Sequence, residues 1–138
     1  MNDTAKPPPS GGPEAAAETP KKIVIVATHG IDTPELASVP LVVGNAALAM
    51  DVQVTMILQS AGVGIATRGI SEHIAAEGFD SVQKLLSSYL EFGGKILVCI
   101  PCLLPRKISN DQLVQGAEPV KAGRVVSEIL DADRVVCY

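Results

Sequence analysis

Apolar residues fall along this chain in short bursts separated by polar, Gly-bearing or Pro-bearing stretches. Lys22-Ile-Val-Ile-Val-Ala27 is a continuous β-branched run, the pattern of a strand buried on both faces. A polar loop, Thr28 to Thr33, follows. Either Thr33 caps a helix with Pro34 in its first turn, or Ser38 caps one with Pro40 there. The Ser38 start is the cleaner expectation, because Pro40 inside a longer helix would kink it; the helix then runs to about Met50. Val52 to Leu58 reads as a second strand, and Gln59 to Gly69 as a Gly-rich loop.

The clearest helix is predicted after Asp80 as cap, with Phe79, Val82, Leu85, Leu86, Tyr89 and Leu90 at helical spacing on one face. Gly93-Gly94 ends it. Lys95 to Ile100 is a third strand, Ser109 to Val114 a short capped turn, Glu118 to Asp131 a last helix, and Arg134 to Tyr138 a final strand. Strands alternating with helices imply right-handed crossovers. The predicted fold is α/β, a Rossmann-like three-layer domain with a mostly parallel sheet.

Composition narrows the picture. A length of 138 residues leaves room for one domain, and with two Phe, two Tyr and no Trp the core must be aliphatic. Half of the ten prolines lie in residues 1–20, a Pro/Ala-rich stretch without the apolar content to offset ordering entropy. It is expected to be a disordered tail, with the domain spanning 21–138. The net charge is −4 and no Lys/Arg run appears, which counts against a nucleic-acid partner. No stretch approaches the ~20 apolar residues of a membrane span, and residues 1–20 lack a signal-peptide core. Three cysteines without a secretory signal fit a reducing compartment, so a cytoplasmic location is expected.

In an open parallel sheet, ligands bind beyond the carboxyl ends of the strands. Of the loops placed there, one begins with a nucleophile: Cys99-Ile100-Pro101-Cys102. The thiolate is the reactive form of cysteine, and nearby cations lower its pKa. Arg106 and Lys107 supply such cations in the same loop and suit an anionic substrate or a persulfide. Two thiols this close let one react while the other resolves or receives sulfur. The plainer alternative is a small buried hydrophobe, which many strand-end cysteines are. A thioredoxin-like site fits poorly, since its C-x-x-C follows the first strand of its unit and opens a long helix, which Pro105 precludes. A zinc site fits worse, with two distant histidines and no recognisable ligand set, so no metal is expected.

Gly62-Val63-Gly64 is half of a dinucleotide fingerprint on the wrong strand, and a tight or flexible loop accounts for it better than a pyrophosphate cradle. His29 is placed on the same rim, as a proton carrier or simply an exposed loop histidine. His73 is assigned to a solvated turn without a role, and Cys137 to core filling in the last strand.

These residues together resemble the DsrE/DsrF-like family of sulfur-relay proteins, over nearly all of Lys21 to Tyr138. The resemblance rests on the opening strand with Thr28-x-Gly30, on Ala46-Ala47-Leu48-Ala49-Met50, and above all on Cys99-Ile-Pro-Cys102-Leu-Leu-Pro-Arg106 with Gly116-Ala117-Glu118 beyond it. Family members often show a cysteine seven residues before an Arg-Gly pair, and some a second cysteine three residues in. By that offset Cys99 matches the sulfur-carrying position and Cys102 the additional one, while Lys107 stands where Gly is usual. The resemblance implies transfer of sulfane sulfur as a cysteine persulfide, with no cofactor, between donor and acceptor proteins of TusA-like or rhodanese-like type. It also implies a homotrimer or homohexamer. Two other functions use the same residues: a thiol redox enzyme of peroxidase or disulfide type, and a non-catalytic assembly subunit.

Overall fold

The computed structural model describes residues 21–138; the Pro/Ala-rich stretch 1–20, read above as a disordered tail, lies outside them. Five strands form one sheet: β1 (Lys22–Ala27), β2 (Gln53–Leu58), β3 (Lys95–Cys99), β4 (Ala117–Val120) and β5 (Arg134–Cys137). Their order is β4-β3-β2-β1-β5, and every neighbouring pair is parallel. The expected α/β architecture is thus realised with a wholly parallel sheet.

Alternation along each strand divides the core into two layers. Ile25, Ala27, Met56, Leu58, Ile96 and Val98 face helices α1 (Pro34–Ala49) and α2 (Val82–Glu91). Val24, Val26, Ile57 and Leu97 face the opposite way and cluster with Val120 of β4, and Val125 covers them. Val125 belongs to α4 (Ala122–Asp131). Three layers result.

Tyr89 of α2 anchors the first layer. Its side chain is fully buried, and its hydroxyl reaches the carbonyls of Lys95 at 2.9 Å and Val54 at 3.2 Å. Two glycines make room for the ring: a Cβ on Gly44 would lie 2.8 Å from it, and one on Gly94 only 2.4 Å. Helix α2 is therefore held to the sheet by apolar contact and by a polar tip whose single O–H is shared between carbonyls of two strands, Lys95 the nearer.

Several boundaries differ from the sequence-based expectation. Helix α1 starts at Pro34, not after Ser38, and carries Pro40 in its interior. Pro34 presets the first turn. The hydrogen bond lost at Pro40 is outweighed by burial of Ala37, Leu41 and Gly44 along the same face. Ser38 does not cap; its hydroxyl donates to the Pro34 carbonyl at 2.8 Å. The cap of α2 is Ser81 rather than Asp80: its Oγ accepts from the Lys84 N–H at 3.2 Å, while Asp80 pairs with the Lys84 ammonium. The helix expected from Glu118 starts only at Ala122, because Ala117-Glu-Pro-Val120 is an edge strand. Proline is tolerated there since an edge strand has one side without a partner.

An ionic cluster joins α4 to β1. The Lys22 ammonium lies 3.2 Å from Glu128 and 2.7 Å from Asp131, and Arg124 bonds Glu128 at 3.0 Å. Burial works to raise the Glu128 carboxyl, but Arg124 and Lys22 prevail and hold it below its ordinary value.

Candidate functional site

The buried run Ile96, Leu97 and Val98 fixes the axis of β3, and Cys99 closes it opposite Val120 of β4. The chain then turns at once into α3 (Ile100–Leu103), a single helical turn with Pro101 in its first positions, followed by a 3-10 turn over Leu104–Arg106. The segment predicted as a loop is therefore helical. Pro101 and Pro105 both sit at turn starts, where a missing N–H costs nothing. Leu103 and Ile108 are buried on either side of the turn and pin it, whereas Leu104 between them is 69% exposed.

Lys107 ends the turn with φ +57° and ψ +39°, a left-handed conformation, and its N–H donates to the Leu104 carbonyl at 3.0 Å. The next N–H, that of Ile108, closes on Leu103 at 3.2 Å. This explains why glycine suits the position: the backbone there is one that side chains resist.

Cys99 and Cys102 are both half-buried, and a thiol–thiol hydrogen bond of 3.0 Å joins the Cys102 Sγ to the Cys99 Sγ. That separation is about 1 Å longer than a disulfide bond. The two are thus brought together, both partly buried, with Cys102 packed against the core cluster beneath the turn. Expectation fails in one respect: the Cys99 thiol is pushed up, first by burial and then by its partner sulfur, with the Cys102 backbone N–H pulling the other way. The cations do not reach the sulfurs. The Arg106 Nη1 donates to the Cys102 carbonyl at 3.1 Å, and Lys107 is exposed. Among the described residues neither is in an ion pair.

His29 follows β1 on the same carboxyl rim. It is separated from the cysteine turn by β2, roughly 9–10 Å across two strand spacings. Thr28 Oγ1 donates to the Tyr138 carbonyl at 2.8 Å and stands 3.3 Å from His29 Nδ1, from which it accepts when that nitrogen is protonated. Asp32 Oδ1 accepts from the Gly30 N–H at 2.7 Å, and this bond lowers the Asp32 carboxyl. Among the described residues no hydrogen bond links His29 to either cysteine. Cys137 is exposed on β5, so its assignment as core filler is overturned; all four residues of this edge strand are exposed.

The Gly62 segment is a buried 3-10 turn, Ser60–Ala66, lying against α3 and β3. A Cβ on Gly62 would stand 2.2 Å from the Ala27 carbonyl oxygen, so the glycine serves close backbone packing. Arg68, which the sequence reading passed over, braces the far side of the site. Its guanidinium donates to the Leu113 carbonyl at 2.7 Å and to that of Asp111, holding the stretch after the cysteine turn. No spacing or motif signals this role, because both partners are main-chain atoms. No group of three His, Cys, Asp or Glu residues that could hold a metal ion occurs among the described residues, and no helix there is long and apolar enough to cross a membrane.

The DsrE/DsrF-like family matches over residues 21–138. Among solved structures, the ychN protein of E. coli is 25% identical with a TM-score of 0.74, the match covering 86% of this chain and 99% of that one. MTH1491 of Methanobacterium thermoautotrophicum, a protein of unknown function, is 17% identical with a TM-score of 0.64 over 86% and 99%, and shares the fold. No curated protein matches the chain.

Proposed function

Because this chain belongs to the DsrE/DsrF-like family, a family generally associated with sulfur relay, we propose that it is a cytoplasmic sulfurtransferase carrying sulfane sulfur as a cysteine persulfide. The observation that carries this reading is the pair of partly buried cysteines at the carboxyl end of β3, with sulfurs 3.0 Å apart. Sulfane transfer is thiol exchange with a sulfur atom as cargo, and it needs a thiolate that a donor can reach. The thiolate attacks the outer sulfur of a donor persulfide and the donor's thiolate departs. An acceptor thiolate then takes the same outer sulfur and frees the cysteine.

The offset from Arg106 points to Cys99 as the carrier, but burial pushes the Cys99 thiol up, and it is Cys102 whose backbone carbonyl holds the Arg106 guanidinium. Cys102 therefore attacks and carries the sulfur, and the Cys99 S–H stabilises the resulting negative charge across the same gap. Arg106, anchored on the Cys102 carbonyl, keeps a cation beside the loaded residue, and exposed Lys107 adds a second that draws an anionic donor. His29 marks the outer reach of the contact with donor and acceptor proteins. A homotrimer or homohexamer is supported by apolar side chains left open on α4 and β5, among them Leu130 at 80% and Val135 at 42% exposure.

Intact-mass measurement tests the reading. Reduced protein is incubated with polysulfide and freed of reagent, with each cysteine replaced by serine in turn. A reductant-reversible gain of one sulfur that survives Cys137→Ser and disappears with Cys102→Ser is the expected result. No adduct on any variant would overturn it.

A further inference from the structure

The 3.0 Å gap between the two sulfurs bears on more than loading. A persulfide on Cys102 has two sulfurs open to attack: the outer one, which an acceptor takes, and the inner one, bonded to the Cys102 side chain. Cys99 already stands within hydrogen-bond distance of that inner atom, on the same turn, and closing about 1 Å brings the pair to a disulfide bond length. A neighbour held at that range reacts as though at very high concentration.

Resting on the carrier reading above, we infer that this protein has a second activity: without an acceptor it reduces its own persulfide, releasing hydrosulfide and leaving a Cys99–Cys102 disulfide. The outer sulfur of Cys102–S–S⁻ first takes the Cys99 proton; the Cys99 thiolate so formed attacks the inner sulfur of Cys102–S–SH, and the Cys99–Cys102 bond forms as the bond to the outer sulfur breaks. That sulfur leaves as HS⁻. Atoms and charge balance: Cys99–SH plus Cys102–S–S⁻ gives Cys99–S–S–Cys102 plus HS⁻. The sulfane sulfur is reduced by two electrons and the two cysteine sulfurs are oxidised by two. No outside oxidant enters, and a dithiol protein reductant of the thioredoxin class restores the pair for another cycle.

The geometry favours this division of labour. The Cys99 Sγ stands 3.0 Å from the Cys102 Sγ, and burial pushes its thiol up, so the proton needed by the leaving sulfide is at hand on the attacking residue itself. Helical backbone and two prolines hold the thiols together on one turn, so little ordering remains to be done. The carrier consequently has a limited holding time. Sulfur that meets no acceptor is discharged as hydrosulfide, and the protein stays unable to reload until reduced.

The test uses the full chain with Cys137→Ser, which removes the exposed third thiol. The protein is loaded with polysulfide, desalted, and followed by intact mass and by trapping of released sulfide. The expected result is loss of the added sulfur with about one sulfide per loaded chain, and a product two hydrogens lighter than the reduced protein. Adding Cys99→Ser or Cys99→Ala should lengthen the life of the adduct on the order of tenfold or more and abolish sulfide release. An adduct equally long-lived with and without Cys99 overturns the inference and leaves the carrier reading standing. Disulfide without matching sulfide means direct oxidation by the reagent and overturns it too. Absence of adduct in the Cys99 variants and of sulfide in their parent defeats the carrier reading itself.

Discussion

Lys107 offers the sharpest quantitative test, because it combines a strained backbone with a charge that the proposed function uses. At φ +57° and ψ +39° it occupies the left-handed region, which costs a side-chain-bearing residue roughly 1–2 kcal/mol. Glycine escapes that penalty but gains freedom in the unfolded chain, an offset of about 0.4–1 kcal/mol. The balance predicts that Lys107→Gly stabilises the protein by about 0.5–1 kcal/mol, or ~2–4 °C in Tm for a domain of this size. Asparagine tolerates the same conformation better than lysine, so Lys107→Asn should be slightly stabilising, less than Lys107→Gly, whereas β-branched Lys107→Val should lose ~1–2 kcal/mol. Urea unfolding followed by circular dichroism measures all of these. A Lys107→Gly variant less stable than its parent would refute the assignment of strain. Sulfur loading separates the second role: Lys107→Gly and Lys107→Asn should load more slowly at low salt than Lys107→Arg. Equal rates in all three would remove the charge from the mechanism.

Tyr89→Phe should lower stability by about 1–2 kcal/mol in urea unfolding, since it leaves the Lys95 and Val54 carbonyls without their buried donor. Gly94→Ala should cost about 2 kcal/mol or more, because its Cβ would stand 2.4 Å from the Tyr89 ring, and Tyr89→Leu in the same chain should restore part of the loss. The Glu128 carboxyl is held below its ordinary 4.5 in the fold, so its contribution is present above that value and disappears as pH falls through the lowered one. The Tm gap between the parent and Glu128→Gln should therefore be widest near pH 7 and close below about pH 4. Because the Cys102 sulfur raises the Cys99 thiol, Cys102→Ser should move the midpoint of Cys99 alkylation against pH downward, read by iodoacetamide labelling and peptide mass; an upward shift would contradict the coupling.

The parts of this fold legible in the sequence were those where one physical signal dominated. Strands expected over Lys22–Ala27, Val52–Leu58 and Lys95–Ile100 met no competing pattern, and strands form over Lys22–Ala27, Gln53–Leu58 and Lys95–Cys99. Helix α2 was clear from the spacing of Val82, Leu86 and Tyr89, all three buried. Strand β4 was not legible, because Ala117-Glu-Pro-Val120 has little strand preference of its own and is held by pairing with β3. The start of α1 was misplaced for a related reason: Pro40 argues locally against a helix that tertiary burial sustains. At the candidate site, the adjacency of Cys99 and Cys102 followed from the sequence, but the electrostatics did not. Burial raises Cys99 while Arg106 is directed to a carbonyl, and both depend on how one turn seats on the sheet.

The two margins of the sheet are unlike in a way that limits how copies of the chain meet. Pro119 has no N–H to offer, so a foreign strand laid along β4 finds an interrupted row of partners. Arg134–Cys137 on the opposite margin carries no such interruption and is exposed throughout. Endless head-to-tail stacking needs both borders to be receptive, and Pro119 makes the β4 border the poorer of the two. A β5-to-β5 pairing would be isologous, closing on itself after two chains rather than extending into a fibre.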